Sequence, residues 1–294
     1  MRTAERPVTV TRESVRVGGT TRTLTVVSPQ DGTRPLPVVL LFHGSNQSAE
    51  KLRAFSGRTF DRMASQRGAV VAYLDGHKSN WNDARVSNTF AARRDGMDDV
   101  AFAFAVVGLL SERYGGDATR VHAIGFSMGG HMVIRLAHEA PERLSGIALL
   151  SSTQPVPDNF APSESRSRPL PTVIFHGTKD RLVPYDGGMA SLWGLRPRGL
   201  GMSAQDTAAY YAARNQITAP PVTHRVTEPD RRGIWAERTD YRQDGAPPVA
   251  LFTVHGGGHT VPGPKRAPRI MGPTATAPVA ADVIADFLPL TAAH

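Results

Sequence analysis

Short apolar runs with little polar alternation recur along the chain, at 37–43 (PVVLLFH), 69–74 (AVVAYL), 120–124 (RVHAI), 145–150 (SGIALL), 171–175 (PTVIF) and 249–254 (VALFTV). Runs of this kind suit strands covered on both faces, as in a parallel sheet. Stretches at about 48–67, 98–113, 128–139, 205–214 and 278–288 read as helices, and most fall between the runs. The alternation predicts an α/β fold with a mostly parallel central sheet flanked by helices. The N-terminus differs. Val8, Val10, Val15, Val17, Leu24 and Val26 fall on either side of Gly18-Gly19, which predicts an antiparallel hairpin. A second hairpin is expected from 222–228 and 234–241.

The 294 residues are read as a single domain over 1–294. Segments 152–170 and 186–204 are rich in Pro, Gly and Ser. They follow strand ends, where open α/β sheets bind ligands, so they are expected to be pocket-lining loops rather than a separate cap domain. With no cysteine, disulfides, thiolate metal sites and cysteine nucleophiles are excluded. No run reaches the roughly 18–20 apolar residues that cross a bilayer as a helix, so no membrane partner is expected. The net charge of +8 comes almost wholly from arginine, since Lys51, Lys78, Lys179 and Lys265 are the only lysines. The basic residues are scattered without aromatic interleaving, which argues for a solvated surface and against nucleic-acid binding. MRTAERPVTV contains no apolar leader core, so a cytoplasmic location is expected, with a secreted mature form as the alternative. The sequence does not indicate an oligomeric state.

Gly125-Phe-Ser127-Met-Gly129-Gly130 stands between the strand at 120–124 and the helix at 128–139. Strand, G-x-S-x-G, helix is the context of a nucleophile elbow, a turn so tight that its neighbours must be small. It places the serine hydroxyl above the sheet and near a helix N-terminus, where free amides and the dipole favour negative charge. A hydroxyl needs a base. Two later strand ends carry candidates, Phe175-His-Gly-Thr-Lys-Asp180 and Val254-His-Gly-Gly-Gly-His259. Asp180 and His259 are the expected acid and base, and three glycines before His259 would let the chain turn toward the serine. Asp186 and His255 are the alternatives, and His176 reads as structural. The backbone N–H groups of Met128 and Ser45 are expected to form the oxyanion hole.

Other residues are candidates for substrate contact. His43 sits beside the oxyanion loop, where it would brace the loop. Trp81 and Asn82 follow a strand end, and Trp193 with Met189 could form an apolar wall in the 186–204 segment. Asp98 and Asp99 read as helix-opening carboxylates rather than a metal pair. No zinc spacing or phosphate-binding Gly-Lys-Ser/Thr loop occurs, so neither metal nor cofactor is expected.

Taken together, LLFHGSNQSAE (40–50), YLDG (73–76), WND (81–83), DDVAF (98–102), GFSMGG, HGTKDRLVPY (176–185) and GGGHTVPG (256–263) resemble the polyhydroxybutyrate-depolymerase-like esterases. That α/β-hydrolase family is grouped with acetyl xylan and feruloyl esterases, and the resemblance spans about 20–288. It implies an α/β-hydrolase fold with Ser127 as nucleophile, Asp180 as acid, His259 as base and the loop at 43–45 as oxyanion loop. Ser45 stands where secreted members often carry cysteine, and Val261 where many carry tryptophan. No polymer-binding module is appended. The resemblance therefore implies a soluble short-chain, hydroxyalkanoate-type or acyl-sugar ester as substrate. The same residues would also serve an acyltransferase, a thioesterase or a peptidase, and the fold could carry a silent binding protein.

Overall fold

The computed structural model describes residues 5–30, 35–162, 166–191 and 197–290. The N-terminal hairpin is formed by β1 (Val8–Val17) and β2 (Thr20–Pro29), antiparallel with Val17 opposite Thr20. Next come β3 (Leu36–Phe42), α1 (Ala49–Phe55), α2 (Arg62–Arg67), β4 (Val70–Leu74), α3 (Ala91–Arg94) and α4 (Asp99–Tyr114). They are followed by β5 (Gly116–Phe126), α5 (Met128–Glu139), β6 (Gly146–Leu150) and β7 (Thr172–Gly177). The remaining elements are β8 (Gly188–Ser191), β9 (Pro197–Gly201), α6 (Ala204–Arg214), β10 (Val222–Arg225), β11 (Trp235–Tyr241), β12 (Val249–His255) and α7 (Ala280–Phe287).

Among the described residues, ten strands form one sheet in the order β1-β2-β4-β3-β5-β6-β7-β12-β11-β10. The six from β4 to β12 are parallel, and the outer strands on both sides are antiparallel. Strand alternation divides the core in two. On β3, Val38, Leu40 and Phe42 face a cluster with α4, α5 and α6, which contains Trp81, Phe102, Val106 and Met132. Val39 and Leu41 face the other side, where Leu52, Phe60, Met63 and Ile284 come from α1, α2, α7 and the turn between α1 and α2. These strand and core residues are fully or almost fully buried, which is why the runs lack polar alternation.

Two local readings change. The helical stretch at 48–67 is broken, because Gly57 and Arg58 both adopt positive φ (67° and 58°) and separate α1 from α2. The 186–204 segment is not a plain loop: β8 and β9 pair as an antiparallel ribbon. Trp193 lies outside the described residues. Asp98 caps α4 by accepting from the Ala101 amide (2.8 Å), as a helix-opening carboxylate should. Asp99 is the first residue of α4 and is also fully buried against Arg22 (2.7 Å), accepting from the Asn82 amide (2.7 Å), so it ties α4 to β2 and to the 81–83 loop. Burial raises its pKa, against the pull of Arg22.

Candidate active site

The sheet delivers the chemistry at the carboxyl ends of β5, β7 and β12. β5 ends in Phe126, and Ser127 follows with φ 55° and ψ −119°, a left-handed conformation that costs energy in a residue with a side chain. The surroundings enforce it. A Cβ on Gly125 would lie 2.2 Å from the Gly129 carbonyl oxygen, and one on Gly129 would lie 2.0 Å from that of Phe42. The Ser127 amide donates to Leu150 O on the neighbouring strand β6 (2.8 Å). α5 begins at Met128, so the elbow stands at a helix N-terminus.

Asp180 follows β7 on a short turn. Its Oδ1 accepts from the amides of Leu182 and Val183, both at 2.9 Å, and its Oδ2 lies 2.7 Å from His259 Nδ1. Burial alone would raise the pKa of this carboxyl, but His259, His176 and the Val183 amide outweigh it and hold the pKa below the ordinary value. His259 is buried and reaches Asp180 from the turn after β12. Its amide donates to Met271 O (2.7 Å), and its ring lies 5.1 Å from the Phe126 ring, centroid to centroid. Thr260 O accepts from Ser151 Oγ (3.2 Å), beside the Leu150 that holds Ser127. Ser127, Asp180 and His259 thus each follow the carboxyl end of a parallel strand, and Asp180 and His259 are in contact.

The alternatives lie elsewhere. Asp186 is exposed. The His255 ring stacks on Trp235 at 3.8 Å, and its Nε2 is 3.1 Å from Glu237 Oε1. His176 is buried, with Nε2 2.9 Å from Val183 O, and it supports the Asp180 turn.

Three side chains named as possible substrate contacts brace the site rather than line it. His43 is fully buried, and its Nε2 accepts from the Gly76 amide (2.9 Å), so its Nδ1 donates to Gly44 O (2.7 Å). Burial lowers its pKa to about 4, so the ring is neutral. Trp81 is also fully buried and donates from Nε1 to His43 O (2.8 Å). Asn82 is tied to Met97 O (3.0 Å) and to Arg93 (3.3 Å). The next turn leaves one amide over. Gly44 donates to Gln47 Oε1 (3.0 Å), Asn46 to Ser79 O (2.9 Å) and Gln47 to Gly44 O (3.2 Å), whereas the Ser45 amide has no partner among the described residues.

Ser45 and Met128 line a narrow cleft of about 60 Å³ with Ser127. Sequence reasoning missed several other walls, namely Arg85, Phe90, His131, Leu182 and Val183. His131 could have been found, since it lies one helical turn beyond Ser127 on α5. Among the described residues its buried Nδ1 has no partner within hydrogen-bond geometry. Burial lowers its pKa to about 3, with Arg85 adding to the effect and Asp83 opposing it. Arg85 carried no local signal. Its charge is offset by buried Asp83, which accepts from it at 2.5 Å. Among the described residues, no group of three or more His, Asp or Glu side chains could hold a metal ion.

A parallel sheet with a strand–serine–helix elbow at this position defines an α/β-hydrolase. Residues 110–192 match the family described as Phospholipase/Carboxylesterase. NocK of Nocardia uniformis subsp. tsuyamanensis, a protein assigned as an esterase, is 33% identical over 305 residues, covering 96% of this chain and 84% of NocK. Feruloyl esterase B of Piromyces equi is 26% identical over 230 residues, 78% of this chain but 40% of that protein. Among solved structures, acetyl xylan esterase from Aspergillus awamori superposes with a TM-score of 0.61 at 16% identity, over 86% of this chain and 96% of that one. The chain belongs to the esterases of the α/β-hydrolase superfamily.

Proposed function

We propose that the protein hydrolyses carboxylic esters through an acyl-enzyme formed on Ser127, with His259 as general base and acid and Asp180 as its partner. The observation that carries the reading is the buried 2.7 Å contact between Asp180 and His259 Nδ1, at the sheet edge that presents Ser127. An ionised Asp180 fixes the proton on Nδ1, which leaves Nε2 to accept the serine proton and stabilises the imidazolium that results. Ser127 Oγ then bonds to the ester carbonyl carbon. The amides of Ser45 and Met128 stabilise the oxyanion, a role in which one donor is worth about 3–4 kcal/mol. Collapse breaks the bond to the alcohol oxygen, which takes the proton from His259. Water, deprotonated by the same histidine, releases the acid and restores the serine.

The narrow cleft beside Ser127 fits a short acyl group. We infer that the substrates are soluble short-chain, hydroxyalkanoate-type or acyl-sugar esters, a reading supported by the small cleft beside Ser127 and by the likeness to esterases. The test is Ser127→Ala, assayed on p-nitrophenyl acetate and with a fluorophosphonate probe. Turnover should fall by about 10⁴–10⁶-fold and labelling should vanish while the melting temperature stays near that of the parent. Parental turnover in this variant would end the proposal.

A further inference from the structure

The cleft holding Ser127, Ser45 and Met128 is where an acyl group meets its nucleophile and oxyanion donors. A second cavity of about 290 Å³ shares Leu182 with the cleft, and His259 is in its wall. On the proposed mechanism His259 must reach the alcohol oxygen to protonate it, so this cavity is where the alcohol half of the ester lies.

Its lining is unlike that of the cleft. Lys179, Arg181 and Arg269 border it, and no carboxylate does. All three cations are exposed. Among the described residues none makes an ion pair, side-chain hydrogen bond or ring contact, and Asp180 is buried in its contact with His259. The rest of the wall is largely apolar, with Leu182, Ile270, Met271 and Pro273; Ile270 is 62% exposed. In the cleft, by contrast, the Arg85 charge is offset by Asp83 and Arg198 lies over the Phe90 ring, 4.4 Å from its centroid.

Three uncompensated cations from two loops, converging over an apolar floor beside the proton donor, would concentrate an anion at that spot. We propose that the preferred esters carry an anionic group, a carboxylate or a phosphate, on the alcohol half, seated among Lys179, Arg181 and Arg269. This deepens the esterase reading and rests on it. The anion favours ester binding and leaves with the alcohol, while the acyl group stays on Ser127.

The test compares matched acetyl esters: 4-acetoxyphenylacetate against its neutral amide, and 2-acetoxyethyl phosphate against its dimethyl ester. For the wild-type protein at low salt, kcat/KM should favour at least one anionic ester by about tenfold or more, and the pair showing the preference identifies the anion. At 0.5 M NaCl the preference should shrink several-fold, because exposed charges are screened. In the double variant Arg181→Gln/Arg269→Gln the anionic-to-neutral ratio should approach one, chiefly through a higher KM for the anionic ester. Equal kcat/KM for both members of both pairs in the wild-type protein, or a preference that survives salt and the double variant, would overturn the proposal while leaving the esterase reading intact. Failure to cleave any of the four would remove both.

Discussion

Two glycine-bearing turns meet at the candidate site, and they are built on different principles. At the Ser127 turn, Gly125 and Gly129 are required by contact with backbone: their Cβ atoms would fall within 2.2 Å of carbonyl oxygens that belong to the turn or to β3. Neither glycine has positive φ; the strained residue is Ser127 itself. Before His259 the three glycines suggest conformational freedom, but only Gly256 (φ 73°) uses it. Gly258 is there for close approach, since a Cβ would lie 2.3 Å from Met271 O. The difference lies in what each turn is pressed against. The serine turn abuts the central sheet, whereas the histidine turn abuts a surface loop at 269–272, where Arg269 and Ile270 are exposed. A Gly-rich motif therefore reports tight packing as readily as freedom.

Gly129→Ala should expose the contrast most strongly. The added methyl meets Phe42 O, and β3 cannot move without disturbing its pairing with β4 and β5. A loss of more than about 4 kcal/mol in a urea melt, or failure to fold, is expected. A loss below about 1 kcal/mol would break the claim that backbone contact sets the elbow.

Acid should separate the two turns next. The serine side is braced by neutral imidazoles: His43 is lowered to about 4 and His131 to about 3, and elsewhere His122 and His138 are lowered to about 4, in each case chiefly by burial. Between pH 6.5 and 4 the unfolded chain binds protons that these folded sites refuse. Their stability contribution is therefore complete above about pH 6.5 and falls as pH drops. Each histidine contributes a slope of up to about 1.4 kcal/mol per pH unit. Asp180, whose pKa is lowered by its histidine partners against burial, acts later: its contribution is present above pH 3.8 and is lost as pH falls through its folded value. Urea melts from pH 7 to 4 should show stability declining from about 6.5, and a flat profile to pH 4.5 would contradict the buried neutral histidines.

Gly258→Ala should cost about 1–3 kcal/mol, because the loop it meets can shift. A shift there displaces His259, whose amide is bonded to Met271 O (2.7 Å), so kcat for p-nitrophenyl acetate should fall more than the melt alone implies. Gly256→Ala should have the smallest effect. Its Cβ finds 3.6 Å of room, so about 1–2 kcal/mol of left-handed strain is the expected loss, with little change in kcat. If Gly256→Ala proved worse than Gly258→Ala, the assignment of freedom and contact would be reversed.

How much was legible depends on how far each feature reaches along the chain. The β3 run reads correctly from its own residues, because burial on both faces leaves an unbroken apolar string. The break between α1 and α2 was missed, since Arg58 adopts a left-handed conformation that its residue type does not advertise. Trp81 follows a strand end and so reads as a possible substrate contact, but the structure spends it on the loop, its Nε1 donating to His43 O (2.8 Å). No local pattern distinguishes a buried brace from a pocket wall.

From the sequence alone come the order of strands and helices, the serine turn between β5 and α5, and the few residues able to carry acyl chemistry. Each depends on periodicity or sterics within a few neighbours. Which carboxylate faces which imidazole, which glycines are pressed against carbonyls, and the cationic cavity beside His259 were decided only by the tertiary structure. The carboxylate–imidazole contact, for instance, joins Asp180 and His259, 79 positions apart, through the pairing of β7 with β12. Lateral strand order is fixed by the packing of the whole sheet and leaves no trace in any short window of sequence.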